Sequence, residues 1–301
     1  MNVVINLNKP ENISSQQAVL KVKRFFSAKK AGHAGTLDPM ATGILLVCLN
    51  EATKITGFLS DLDKEYRVRV KFGERTDTCD STGSIIEKKM FDTLRESDIR
   101  NTLNSFMGCI QQTPPMYSAI KMNGSPLYKL ARMGITVERA SRPVTISEME
   151  MLCFNLPYID LRIVCSKGTY IRTICDDMGQ ALGVGAHMVS LVRTRIGPFC
   201  IEDSAGLADL GSSKHAVRSI DSALSHLGEI ILNEYLYRRA LNGIPIDMMC
   251  RSASQTLNGG ENVVVKNMQI NQYVRIKSPD RTLFGIGKVE QNRVKIERLL
   301  N

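Results

Sequence analysis

Apolar positions along this chain change period several times, and each change marks an element. After Ser14, the residues Val19, Val22 and Phe26 recur at helical intervals, and Ser14 and Gln17 stand at the S-x-x-Q spacing of a capping box. A helix of about three turns is predicted there. Residues 44–49 form a short unbroken apolar run. From Tyr66 the period becomes two: Tyr66, Val68, Val70 and Phe72 share one face, and Arg67, Arg69 and Lys71 share the other, as in a half-buried strand. Residues 80–83 carry turn chemistry, Ile85 and Ile86 resume an extended pattern, residues 97–106 read as a helix, and Thr113-Pro114-Pro115 breaks the backbone. A second alternation, Ile159, Leu161 and Ile163, leads through Ser166-Lys167-Gly168 into a helix with Ile171, Ile174, Met178 and Leu182 along one stripe.

Strands and helices interleave without the regular strand-helix-strand spacing of a doubly wound parallel sheet. The predicted class is therefore α+β, with helices packed on a mixed or antiparallel sheet. Beyond about residue 228, short β-rich runs (263–265, 273–276, 283–289 and 293–296) alternate with turn residues such as Ser278-Pro279-Asp280. That change predicts a small all-β barrel, and hence two domains, residues 1–228 and 229–301. No internal repeat or low-complexity segment interrupts either.

Composition narrows the partners. The chain has 301 residues, 43% of them hydrophobic, enough for both cores, and its formal net charge of +9 favours a polyanion, nucleic acid first. Lys21, Lys23, Arg24, Lys29 and Lys30 crowd the first helix and its exit without a balancing acid. They form either a phosphate-facing surface or an ordinary solvated helix face, and Arg67, Arg69 and Lys71 make a second basic stripe. The eight cysteines include no C-x-x-C pair and have no nearby histidine, so no structural metal is expected. Cys48, Cys153 and Cys165 sit in apolar runs, as free thiols do in a reducing cytoplasm. Residues 1–10 show no charged leader followed by an apolar stretch, and no apolar run approaches about 18 residues, so neither secretion nor a membrane span is expected.

The most unusual stretch runs from Gly32 to Gly43, ahead of the apolar run. Its three glycines permit positive φ and close backbone approach, and Pro39 biases Asp38 away from helical geometry. Asp38 then projects from a constrained loop. Alternatively, Asp followed by Pro is a start signal for a helix, with Asp38 as its N-cap. Spacing alone leaves both open.

At this point GHAGTLDPMATGILL, taken with LNKP at residues 7–10, resembles the nucleophile motif of the TruB family of bacterial tRNA pseudouridine-55 synthases. The likeness continues, in order, through DKEYRVRVKFGERTDTCDSTG (63–83), QTPPMYSAIKMNGSPLYKLAR (112–132) and CSKGTYIRTICDDMGQALGVGAHMVSLVRTRIG (165–197). The resemblance implies that Asp38 is the catalytic aspartate, that Tyr66 stacks on the target uracil, and that Arg172 pairs with Asp38. Locally, Tyr66 could equally be a core-facing strand tyrosine, and Arg172 an i,i+4 partner of Asp176. Tyr170 and Leu191 match pocket positions and His33 the flipped-base site. Residues 230–301 loosely resemble the small RNA-binding barrel called PUA.

The implied reaction isomerises one T-loop uridine of tRNA without net redox change, and needs no cofactor. The uridine must leave its stack, and Arg172 must oppose the rise in the Asp38 pKa that a dry site imposes. Attack at C6 or at C1′ stays open, as does removal of the C5 proton by Tyr66 or by Asp38. A non-catalytic RNA-binding protein would need no such buried carboxylate. A synthase acting on guided or non-tRNA targets is a third reading. A chain without long basic tails favours a stand-alone cytoplasmic monomer that binds the tRNA T-arm and requires no protein partner.

Overall fold

The computed structural model describes residues 1–92, 94–122, 124–247, 264–266, 270–291 and 293–300. Among them, one large sheet runs in the order Val217–Ser219, Val3–Lys9, Thr42–Leu49, Ala186–Ile196, Lys64–Phe72, Tyr158–Cys165, Arg142–Asn155, Gly108–Gln112. Thr42–Leu49 and Ala186–Ile196 lie parallel, and the other neighbours along that order are antiparallel. The sheet is mixed, as the irregular spacing of elements predicts.

Local chemistry explains where each element begins. The helix Ser15–Phe25 starts on Ser14, whose hydroxyl accepts from the Gln17 N–H while the Gln17 side chain accepts from the Ser14 N–H, so the capping box is complete. The strand Lys64–Phe72 buries Tyr66, Val68, Val70 and Phe72 against the helices Glu96–Ser105 and Ile171–Ala181, and leaves Arg67 and Arg69 exposed. Thr42–Leu49 is buried on both faces. Ile44, Leu46 and Cys48 pack beneath Ile55 and Leu59, while Leu45, Val47 and Leu49 meet Ala18, Val19 and Val22 of the first helix. A strand covered on both sides has no polar face to alternate with, hence its continuous apolar run.

The smaller sheet opens with Gly228–Ile231 and runs Ile246–Asp247, Arg293–Leu299, Leu283–Val289, Tyr273–Lys277, Gly228–Ile231, Val264–Lys266. It is a curled half-barrel, open at both ends of that order among the described residues, and it carries one helix, Glu234–Leu241. Val263 of the expected strand lies outside the described residues. The half-barrel is not held by a tether alone. Leu283, Ile286 and Leu300 enter a core of the larger sheet beside Leu59 and Leu224, and the rings of Phe58 and Tyr273 meet edge to face at 4.8 Å. Arg275 and Lys277 also pair with Asp221 and Glu229 at 2.7–3.1 Å.

One expectation changes. Cys48 and Cys165 are buried free thiols, but Cys153 is exposed, because it lies beyond a bulge near the far end of Arg142–Asn155; Cys250 lies outside the described residues. Among the described residues no helix is long and apolar enough to cross a membrane.

Candidate active site

Asp38 stands in a loop, not at a helix start. The short strand Ala31–His33 pairs antiparallel with Thr42–Leu49, so the segment between them turns back on itself with Asp38 near its tip. No helix follows, which disposes of the N-cap alternative. The loop is pinned from several directions. Ser15 Oγ donates to Leu37 O at 2.9 Å and accepts from Leu37 N at 2.8 Å, Asn12 N donates to Pro39 O at 2.9 Å, and Ala34 N donates to Leu46 O at 3.0 Å. Gly43 is required sterically: its φ is +98°, and a Cβ there would stand 2.2 Å from Arg193 O, where the two parallel strands meet.

Arg172 lies in the first turn of Ile171–Ala181 and is 5% exposed. Its Nη2 donates to Asp38 Oδ1 at 3.1 Å and to Tyr117 O at 2.7 Å, and Nη1 donates to Asp80 Oδ2 at 3.5 Å. Asp176, its local alternative, pairs instead with Arg75 at 2.8 Å and Gln180 at 2.7 Å. The Asp80 carboxylate is buried, and its Oδ1 accepts from the Thr78 hydroxyl at 2.7 Å, the Thr82 hydroxyl at 2.6 Å and Thr82 N at 3.0 Å. One guanidinium therefore serves two carboxylates, one saturated by hydroxyls and the other facing open space. The Asp38 side chain keeps 29% exposure. Burial pushes its carboxyl above the ordinary range, Asp80 adds to that rise, and Arg172 gives the largest opposing pull.

The space before Asp38 is a cleft of about 1350 Å³ lined by His33, Tyr66, Tyr170, Leu191 and Arg193 among others, larger than a single nucleotide needs. Tyr66 is 8% exposed, and burial drives its hydroxyl further up from an already basic value, so the phenol keeps its proton at neutral pH. The Nδ1 of His33 is buried without a hydrogen-bond partner, and burial with Arg193 lowers its pKa, which leaves a neutral ring. The Tyr170 backbone is clamped by the Gln112 amide at 2.8 and 3.0 Å, and its ring lies under the Arg142 guanidinium at 5.1 Å. Leu191 is a buried apolar wall. These positions, far apart in the chain, meet at one cleft.

The basic candidates divide. Lys21, Lys23 and Arg24 lie towards the far end of a helix whose first residues, Ser15 and Gln16, line the cleft, and Lys29 and Lys30 follow its end; Ser15 to Lys23 spans about 12 Å. Four of the five are exposed and Lys23 is half-buried. Strand alternation turns Arg67 and Arg69 away from the cleft that Tyr66 faces. Arg69 is also bound by both oxygens of Asp160 at 2.7 and 2.8 Å, and Lys71 by Glu74 at 2.7 Å.

Sequence reasoning missed several contributors. Arg193, 1% exposed, donates to Ile44 O at 2.7 Å, Gly35 O at 3.0 Å and Thr36 O at 3.4 Å. Lys9 is fully buried, its ammonium on the carbonyls of Pro10, Ile13 and Pro39, with its pKa lowered by burial to about 8. The turn chemistry of residues 80–83 is real, but the Asp80 side chain also reaches Arg172.

Two family models match in succession: the TruB family pseudouridylate synthase N-terminal domain over residues 23–171, and the tRNA pseudouridylate synthase B C-terminal domain over residues 172–233. A tRNA pseudouridine synthase B of Clostridium tetani is 40% identical over 302 residues, covering 100% of both chains. One from Haemophilus influenzae is 39% identical over 298 residues, covering 99% of this chain and 94% of the relative. Among solved structures, a chain of a Cbf5-Nop10-Gar1 complex is similar with a TM-score of 0.75 at 26% identity, covering 99% of this chain and 85% of that one. With the paired carboxylate in its cleft and both family models matched in order, the chain belongs to the TruB family of pseudouridylate synthases.

Proposed function

We propose that this protein converts the T-loop uridine at position 55 of tRNA to pseudouridine, with Asp38 as nucleophile and without a cofactor. The observation that carries the reading is the Asp38 carboxylate held 3.1 Å from a buried guanidinium at the mouth of a cleft. The tRNA substrate follows the names of relatives about 40% identical over their full length.

The exchange breaks N1–C1′, forms C5–C1′, releases the C5 proton and leaves a proton on N1. Atoms and electrons balance within one nucleotide, so no redox partner is called for. A stacked uridine is out of reach of Asp38, so it must swing into the cleft, where Tyr66 offers a flat face, Leu191 and Tyr170 enclose the ring, and neutral His33 stands near the vacated position. Asp38 attacks at C6 or C1′, oriented by Arg172. Of the two groups that could take the C5 proton, Asp38 fits better. Burial makes its carboxylate a stronger base, whereas the same burial keeps Tyr66 protonated.

Residues 1–228 carry this chemistry. Residues 229–301 form a PUA-like unit that extends the RNA contact, with the Lys21 to Lys30 cluster as the phosphate-facing part of the first unit. We infer that the enzyme grips the T-arm alone, as a cytoplasmic monomer.

The test is to incubate purified protein with unmodified tRNA and map pseudouridine, beside Asp38→Asn. Wild type should modify a single T-loop uridine. Asp38→Asn should bind tRNA tightly and yield nothing, and the salt dependence of that affinity should count the phosphate contacts. Product from Asp38→Asn at the wild-type rate, or modification elsewhere, would sink the reading.

A further inference from the structure

We propose that the Ser118 hydroxyl holds the imide edge of the flipped uracil, the O=C–NH–C=O side, both before and after the ring turns over. This deepens the reading above and rests on it.

Ser118 lines the cleft and is 4% exposed, yet its Oγ is buried and has no hydrogen-bond partner in the protein. Its backbone is already secured, with Ser118 N donating to Met116 O at 2.9 Å and Tyr128 N donating to Ser118 O at 3.0 Å. The side chain is therefore not what holds this loop. A buried hydroxyl without a partner is unfavourable, and it is expected where a ligand completes it. The neighbouring carbonyl places it: Tyr117 O accepts from the same Arg172 Nη2 that reaches Asp38. Ser118 thus stands one residue from an atom that shares a guanidinium nitrogen with the nucleophile.

The symmetry of uracil supplies the rest. A half-turn about the axis through N3 and C6 exchanges N1 with C5, which the reaction requires, and exchanges the C2 carbonyl with the C4 carbonyl. N3–H stays where it was. A group on the imide edge meets the same pattern of acceptor, donor and acceptor before and after the turn. A hydroxyl suits that edge because it both donates and accepts.

Single-turnover rates on tRNA carrying uridine or 4-thiouridine at the target, in wild type, Ser118→Ala and Ser118→Thr, test this. Ser118→Ala should keep its tRNA affinity and melting temperature while its rate on uridine falls about 10-fold, the worth of one hydrogen bond. Ser118→Thr, which keeps the hydroxyl, should stay near wild type. Sulfur is a weaker acceptor, so it should slow wild type more than it slows Ser118→Ala. A wild-type rate in Ser118→Ala would overturn the proposal, as would an equal sulfur penalty in both proteins or a loss confined to folding or affinity. Product formation by wild type and its absence in Asp38→Asn test the underlying reading separately.

Discussion

Two buried arginines border the cleft, and they do different work. Arg172 donates to two carboxylates and one carbonyl, whereas Arg193 donates to the carbonyls of Ile44, Gly35 and Thr36 and also reaches the Tyr66 hydroxyl. Arg172 exerts the largest favourable field on the Asp38 anion, and Arg193 acts on it more weakly than Arg172, Asp80 or Lys9. The first sets the charge state and aim of the Asp38 carboxylate. The second sets the path of the loop that carries it. A buried guanidinium can thus serve as a counter-charge or as a set of oriented donors, and its acceptors decide which.

The sharpest way to break this distinction is Arg172→Met. It takes the shared guanidinium from half-buried Asp38 and buried Asp80, and kcat should fall by about 10³-fold, in the range for loss of one preorganised electrostatic group. The sign of the pH effect follows from the lost field. With the main pull towards ionisation gone, the Asp38 pKa climbs further, so the acid limb of the pH–rate profile should move to higher pH. Arg172→Lys should recover part of the rate, since one ammonium cannot span Asp38, Asp80 and Tyr117 O at once.

Arg193→Met should act differently. Removing the donor from three carbonyls leaves them wholly or partly unsatisfied, at about 1–3 kcal/mol for each fully orphaned group. The melting temperature should drop by several degrees, and kcat by about 10²-fold as the loop loosens. The acid limb should scarcely move. If Arg193→Met shifts it as far as Arg172→Met does, the two arginines are not distinct.

The smallest effect is expected from Asp80→Asn, with kcat down by about 10-fold because the amide aligns Arg172 less firmly. Here the limb should move to lower pH, because a like charge beside Asp38 disappears. A pH–rate titration of the three variants checks all of these directions.

How much of this was legible in the sequence depended on range. The first helix and the strand Lys64–Phe72 were readable because capping and alternation are local. Arg142–Asn155 and Ala186–Ile196 gave no clean period, and the structure shows why: register shifts at Ile146/Glu148, Met151/Cys153, Met188/Ser190 and Arg193/Arg195 insert bulges that reset the alternation. Asp38 became legible through the family motif and not through spacing, which allowed a helix cap equally well. Asp80, Arg193 and Lys9 stayed hidden, since polar residues buried by partners far along the chain look like surface residues from within. The pairing of Arg69 was hidden for the same reason: its partner acid, Asp160, lies 91 residues away.

The seam between the two sheets has a mechanical consequence. Ile286 and Leu283 share a core with the larger sheet, and Arg275 and Lys277 pair with Asp221, so separating the two units would cost both apolar burial and ion pairs. If both touch RNA as proposed, the seam sets the distance between the two contacts. The molecule would select substrates by the spacing between two grips, before any base is tested.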